Sequence, residues 1–188
     1  MTGRSDPSHC RPSAVQAAFL DALASPGVRV LRTNFPWVPD DGALAAPVPL
    51  VRASLANARQ YLGSRRESWR ERHRPALERL AGRAPRTVLI CGSCGLELLA
   101  NLRARPATLD RLHVLALGPV ARRRPAVREL VIVRGRDDRV SGRGLGAADH
   151  VVGTDHLGYL EDADSLSIAR TMVARVVDEV VRPAGGTT

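Results

Sequence analysis

Hydrophobic positions in this 188-residue chain fall into two patterns: short solid apolar runs, and longer segments with apolar residues three and four apart. The short runs are Val88-Leu89-Ile90, His113-Val114-Leu115-Ala116-Leu117, Leu130-Val131-Ile132-Val133 and the pair Val151-Val152. Unbroken runs of this length, rather than alternating ones, predict strands buried on both faces, as in a parallel sheet. The longer segments predict helices. Ala14, Val15, Ala18, Phe19, Ala22 and Leu23 keep helical spacing behind Ser13, an N-cap, and Pro26-Gly27 closes that helix. A long helix is expected from about Leu50 to Leu80, with Gly63 and Pro75 as its break points. Another covers Leu96 to Arg103. Leu166, Ile168, Ala169, Met172, Val173, Val176, Val177 and Val180 define a final one over Ser165–Val181. Val28–Phe35 is a further strand candidate, stopped by Pro36 and the proline-rich stretch that reaches Pro49.

Strands alternating with helices predict an α/β fold, a mostly parallel sheet with helices on both faces. Residues 1–12 read as an irregular leader, residues 13–182 as one domain and residues 183–188 as a disordered tail. The length allows a single domain with a sizeable core. At 44% hydrophobic and 3% aromatic, that core is built from Val, Leu and Ala. No apolar stretch approaches the length that spans a bilayer, and the first residues carry no apolar signal region, so a cytoplasmic location is expected. The net charge is +9, and all 28 basic residues are arginine. A basic balance can mark a polyanion partner. Here no basic stripe is interleaved with stacking aromatics, so codon bias is the preferred explanation and nucleic acid is not the expected partner. The arginines of the long helix, Arg65, Arg66, Arg70, Arg72 and Arg74, read as a solvated face, and Arg122-Arg123-Arg124-Pro125 as a surface turn.

The stretch Thr87-Val88-Leu89-Ile90-Cys91-Gly92-Ser93-Cys94-Gly95-Leu96-Glu97-Leu98-Leu99 carries the chemistry. An apolar run ends in small residues and a helical run begins at once, which describes a strand, a sharp turn and a helix. Ser93 stands at the apex. A side chain there adopts a strained backbone and needs small neighbours, so that the helix can pack on the strand. Two further candidates follow later strands. Asp137 and Asp138 come after Leu130–Val133, and His156 comes after Val151-Val152. In an open α/β sheet the loops at the carboxyl ends of parallel strands gather in one crevice. A serine hydroxyl needs an imidazole to take its proton, and the imidazole needs a carboxylate to hold its tautomer.

These segments resemble those of the α/β-hydrolase family. Cys91-Gly92-Ser93-Cys94-Gly95 resembles its nucleophile elbow, with Cys91 at a small position usually held by glycine. Gly135-Arg136-Asp137-Asp138-Arg139-Val140 is similar to the loop that presents its acid, with Asp138 at the matching place. His156-Leu157-Gly158-Tyr159 resembles its histidine segment, and the order Ser, Asp, His is the family's order. The resemblance covers roughly residues 28–181. It implies a minimal α/β-hydrolase-like fold and a catalytic set of Ser93, Asp138 and His156, with the Cys94 amide as oxyanion donor. It also implies an ester or thioester substrate, either a small molecule or a carrier-bound acyl group, with no metal and no organic cofactor. Hydrolysis and acyl transfer stay open.

The chain departs from the family at its start. Nothing before Ser13 reads as a strand leading to a Gly-rich oxyanion loop. Gly3-Arg4-Ser5-Asp6 is either a remnant of that loop, or the loop precedes Met1. No insertion large enough for a lid separates the strands, so an open, shallow site is expected. A non-catalytic binding protein on a degenerate hydrolase fold is the second reading. A third is a thiol oxidoreductase, because Cys91-Gly92-Ser93-Cys94 is a C-x-x-C between strand and helix. Cys91 continues the strand, however, and that reading leaves Asp138 and His156 without a role. The three cysteines, Cys10, Cys91 and Cys94, with His9, lack the second ligand pair of a zinc site. His150 competes with His156 but lies before the apolar pair rather than after it. Asp155 reads as a turn residue, and His9, His73 and His113 as surface or structural.

Overall fold

A computed structural model of the chain describes residues 1–2, 10–37, 44–46, 49–141 and 144–182. Four strands, β1 (Thr87–Gly92), β2 (Leu112–Leu117), β3 (Glu129–Gly135) and β4 (His150–Val152), form one sheet in the order β1-β2-β3-β4. Every neighbouring pair is parallel, with Ile90 opposite Leu115, Leu115 opposite Val131, and Val133 opposite His150. The solid apolar runs are explained by burial on both sides. Leu89, Cys91, Leu112, Val114, Ala116 and Ile132 face one core, and Leu115, Leu117, Val133 and Val152 face the other. Successive residues of a strand point to opposite faces, so only a continuous run can fill two cores.

Six helices complete the described fold: α1 (Ala14–Asp21), α2 (Leu50–Gly63), α3 (Glu67–Ala81), α4 (Gly95–Leu102), α5 (Pro106–Leu109) and α6 (Ala163–Val181). On one face α4 buries Leu96, Leu98, Leu99 and Leu102, backed by Leu77 of α3. On the other, Phe19 of α1 meets Ala169, Met172, Val173 and Val176 of α6. Ser13 caps α1 through a reciprocal pair: its hydroxyl accepts from the Gln16 amide, and the Ser13 amide donates to Gln16 Oε1. Among the described residues the β2–β3 and β3–β4 crossovers carry no helix, unlike β1–β2 and the exit from β4.

Several expectations need correction. The expected long helix is two, parted after Gly63, whereas Pro75 stays inside α3. Pro75 and Glu71, whose carbonyl loses its partner there, both lie on the exposed side of the helix. Val28–Phe35 forms no strand. The edge of β1 beside β2 is taken, and at its other edge the Met1 ammonium donates to the Ile90 carbonyl while the Gly92 amide donates to the Met1 carbonyl at 3.1 Å. Met1 is therefore buried against β1, in the part of the expected leader that the structure describes. The expected tail at 183–188 and the segment Gly3–Asp6 lie outside the described residues.

The arginines are not all a solvated face. Arg70 is only 8% exposed and donates Nε to the Asn101 carbonyl at 3.0 Å, and Arg74 Nε donates to the Leu102 carbonyl at 3.1 Å. The last carbonyls of a helix have no partner within it, and cations are favoured there. Arg122 reaches the buried Glu97 carboxylate through its amide at 3.0 Å and Nε at 3.4 Å. Arg124 donates to the Leu145 and Ala147 carbonyls at 2.9 and 2.8 Å. The arginine turn thus ties the β2–β3 crossover to α4 and to the β3–β4 crossover. Leu98 is fully buried at the centre of α4. Leu98→Ala is expected to lower the unfolding free energy by about 2–5 kcal/mol in urea titrations, without changing the folded-state circular dichroism.

Candidate active site

Strand β1 ends at Gly92, and α4 starts at Gly95. The chain reverses between them through Ser93, whose φ of +49° lies in the left-handed region. For a residue with a Cβ this costs about 1–3 kcal/mol and persists only where neighbours dictate it. Here they do. The Ser93 amide donates to the Leu117 carbonyl at 3.2 Å, and the Ser93 carbonyl accepts from the Val120 amide at 2.9 Å. Gly95 is required because a Cβ would stand 2.0 Å from the Met1 carbonyl oxygen. Cys94 is the N-cap of α4, so its amide stands at the positive end of the helix, one residue beyond the serine.

Asp138 and His156 come from the loops after β3 and β4. His156 Nε2 lies 3.2 Å from Ser93 Oγ, and His156 Nδ1 lies 2.9 Å from Asp138 Oδ2. The Asp138 side chain is wholly buried and that of His156 is 19% exposed. Every oxygen of the carboxylate is engaged. Oδ1 accepts from the Val140 and Ser141 amides at 2.8 and 2.9 Å, and Oδ2 accepts from the Tyr159 hydroxyl at 2.7 Å besides facing the imidazole. Burial would raise the Asp138 pKa, but hydrogen bonds from His156, Ser141 and Tyr159 outweigh it and hold the carboxyl well below the usual carboxylate range. An ionised carboxylate only accepts, so the neutral imidazole carries its proton on Nδ1. Nε2 then presents a lone pair to the serine hydroxyl.

The neighbours considered as competitors stand elsewhere. Asp137 is exposed beside Asp138, and His150 is exposed at the first position of β4. Asp155 Oδ1 accepts from the Leu157 and Gly158 amides at 2.9 and 3.0 Å, a turn that aims the loop holding His156. His113 is buried between Glu129, 2.8 Å away, and Glu179, 3.5 Å away, while His73 packs on Phe35 and Trp69. His9 lies outside the described residues. Cys91 and Cys94 are buried and form no disulfide, and burial pushes the Cys91 thiol up to about 11. A redox pair needs an exposed thiol of low pKa, and the burial and raised pKa of Cys91 both count against that reading. Among the described residues no group of three or more His, Cys, Asp or Glu side chains could hold a metal ion. Among the described residues no helix is long and apolar enough to cross a membrane.

The surface beside Ser93 is open to solvent, as expected, but forms a cleft rather than a flat face. A cavity of about 190 Å³ opens next to Ser93 and His156. Three residues of the surroundings carried no expected role. Tyr159 accepts from the Gly135 amide at 2.6 Å while donating to Asp138, so it ties the acid to β3. Thr2 Oγ1 accepts from Asn34 Nδ2 at 2.7 Å and from Gln16 Nε2 at 3.3 Å. With both lone pairs engaged, the Thr2 hydroxyl can act only as a donor at the cavity wall. Asn34 also receives the Thr2 amide at 3.0 Å, so it fixes this residue beside β1. Spacing cannot reveal such links, although the Tyr159 position within His156-Leu157-Gly158-Tyr159 was a usable signal. No family model matches the chain, and no curated protein matches it by sequence.

Removing the Tyr159 hydroxyl leaves the Gly135 amide without its buried partner, so Tyr159→Phe is expected to cost about 1–3 kcal/mol in urea unfolding. The Asp138 carboxyl has a folded pKa below its unfolded value of about 3.9, so its stabilisation is complete above that value and is lost as pH falls. The stability gap between wild type and Asp138→Asn is therefore expected at full width above about pH 5. It should narrow below about pH 4, read by unfolding titrations of both proteins across this range.

Proposed function

We propose that this chain is a serine hydrolase of the α/β-hydrolase type, acting on an ester or thioester. The observation that carries the reading is the unbroken chain of contacts from Ser93 Oγ through both nitrogens of His156 to the ionised, fully engaged Asp138. Supporting it is the left-handed backbone of Ser93, a strain that a merely small turn residue would avoid by being glycine.

In this reading His156 Nε2 takes the Ser93 proton as Oγ attacks the acyl carbonyl carbon. The carbonyl π pair moves onto oxygen, which the Cys94 amide stabilises at the start of α4. Collapse of the tetrahedral intermediate breaks the bond to the leaving alcohol or thiol, which receives the proton held on Nε2. Water, deprotonated by the same nitrogen, then attacks the acyl-enzyme, and Ser93 leaves with that proton. Asp138 stays ionised throughout, keeping the imidazole in one tautomer and stabilising its transient positive charge. An amine or alcohol in place of water would make the same residues an acyltransferase. The compartment expected for the protein remains the cytoplasm, as part of this proposal.

Labelling of the purified protein with a fluorophosphonate tests the reading. Wild type is expected to label at Ser93, and Ser93→Ala and His156→Ala are expected not to. Asp138→Asn is expected to lower ester turnover by about 10³–10⁴-fold, because the amide favours the wrong imidazole tautomer. A folded wild type that stays unlabelled would overturn the reading and favour a non-catalytic binding role.

A further inference from the structure

The cavity beside Ser93 has a definite character. One wall is Phe19 and Leu20 of α1, the floor is Ile90 of β1 and Leu117 of β2, and the far wall is Leu157 and Leu160 of the loop after β4. Ser93 and His156 stand at its side. Its polar residues make few demands on a ligand. Gln16 Oε1 is taken by the Ser13 amide, Asn34 Oδ1 by the Thr2 and Phe35 amides, and the Thr2 oxygen by both neighbouring side-chain amides. Among the described residues no Arg, Asp or Glu side chain lines it, and the Met1 ammonium in its wall is turned to the Ile90 carbonyl. A chamber of this kind favours an apolar guest and places its end near a nucleophile.

We infer that the chamber binds an unbranched acyl chain of medium length, so that the substrates are medium-chain esters or thioesters. This rests on the proposed serine hydrolase reading. The size sets the length: an apolar cavity of about 150 Å³ holds the six carbons of benzene, so about 190 Å³ holds roughly eight by proportion. Acetyl groups leave most of the apolar wall uncovered, and chains well beyond eight carbons must continue into water. The Thr2 hydroxyl, limited to donating, lies in the lining as a donor suited to the one polar part of such a guest, its carbonyl oxygen.

A series of p-nitrophenyl esters from acetate to palmitate tests the inference, together with fluorophosphonate labelling of the same preparation. The expected result is a kcat/KM that rises about two- to fourfold per methylene up to roughly eight carbons and gains nothing beyond. Leu20→Trp, which fills one wall, should lower the octanoate-to-acetate ratio at least about tenfold, and Leu20→Ala should move the optimum to longer chains. A labelled Ser93 with a flat or acetate-peaked profile would overturn the chamber's role and leave the serine chemistry standing. Absence of labelling would overturn the serine chemistry. In that case octanoate titrated calorimetrically into wild type decides the chamber by itself: saturable binding that Leu20→Trp weakens supports it, and no binding overturns it.

Discussion

The reversal of the chain at Ser93 is the constraint on which the rest of the structure leans. A strand must end, turn through a left-handed residue and enter a helix within three positions, while the helix stays packed on the sheet it has just left. The cost of the positive φ is met only because the Ser93 peptide is hydrogen-bonded on both sides, to Leu117 and to Val120. Both partners belong to the end of β2, so the turn is shaped by the neighbouring parallel strand and not by its own sequence. Met1, bonded along the free edge of β1, then closes over Gly95, where no side chain would fit. The serine hydroxyl emerges at the carboxyl edge of the sheet as the geometric result of these contacts.

The same edge decides where the acid and the base can be. Parallel strands place the ends of β1, β3 and β4 side by side, and the loops that follow need span only a short distance to meet. The loop of Asp138 is held internally, with two backbone amides on one oxygen of Asp138, and externally by Tyr159, whose hydroxyl bridges that carboxylate and Gly135, the last residue of β3. Gly118, with φ of +52°, passes so close that a Cβ would strike the Tyr159 ring at 2.4 Å and Asp138 Oδ2 at 2.9 Å. The β2 end therefore supports Ser93 on one side and Asp138 on the other. A buried carboxylate in so many hydrogen bonds cannot accept a proton readily, which keeps it suited to orient a histidine.

Arginine plays a structural part that its abundance disguised. A crossover without a helix leaves backbone carbonyls unmatched, and a short helix leaves its last ones exposed. The guanidinium groups of Arg70, Arg74 and Arg124 fill those roles, and Arg122 neutralises the buried Glu97 carboxylate of α4. Planar, always charged donors on long stems suit this work better than a point-like ammonium would. A basic surplus in the composition thus belongs in part to the interior and to the crossovers, where no partner molecule is needed to explain it.

The sequence by itself determined the elements and the order of the chemistry. Solid apolar runs mark strands buried on both faces, because only an unbroken run can fill two cores, and all four such runs lie in the sheet. Helical spacing placed α1, α4 and α6, and the small residues around Ser93 announced the turn. Position after a strand pointed to Ser93, to the pair Asp137-Asp138 and to His156 over His150, and only the resemblance to the α/β-hydrolase acid loop favoured Asp138 within that pair. Tertiary structure alone decided what depends on distant partners. Val28–Phe35 carries a strand-like composition but pairs with no strand, since ladder formation depends on a neighbouring strand and not on local composition alone. Pro75 stays in α3 on its exposed side, where the carbonyl it orphans is not enclosed by the core. Tyr159, Thr2 and Asn34 acquire their roles through contacts across the fold, and the chamber beside Ser93 exists only because α1, two strands and the loop after β4 converge on it. Local pattern encodes which way a residue prefers to point, and only packing supplies what it meets there.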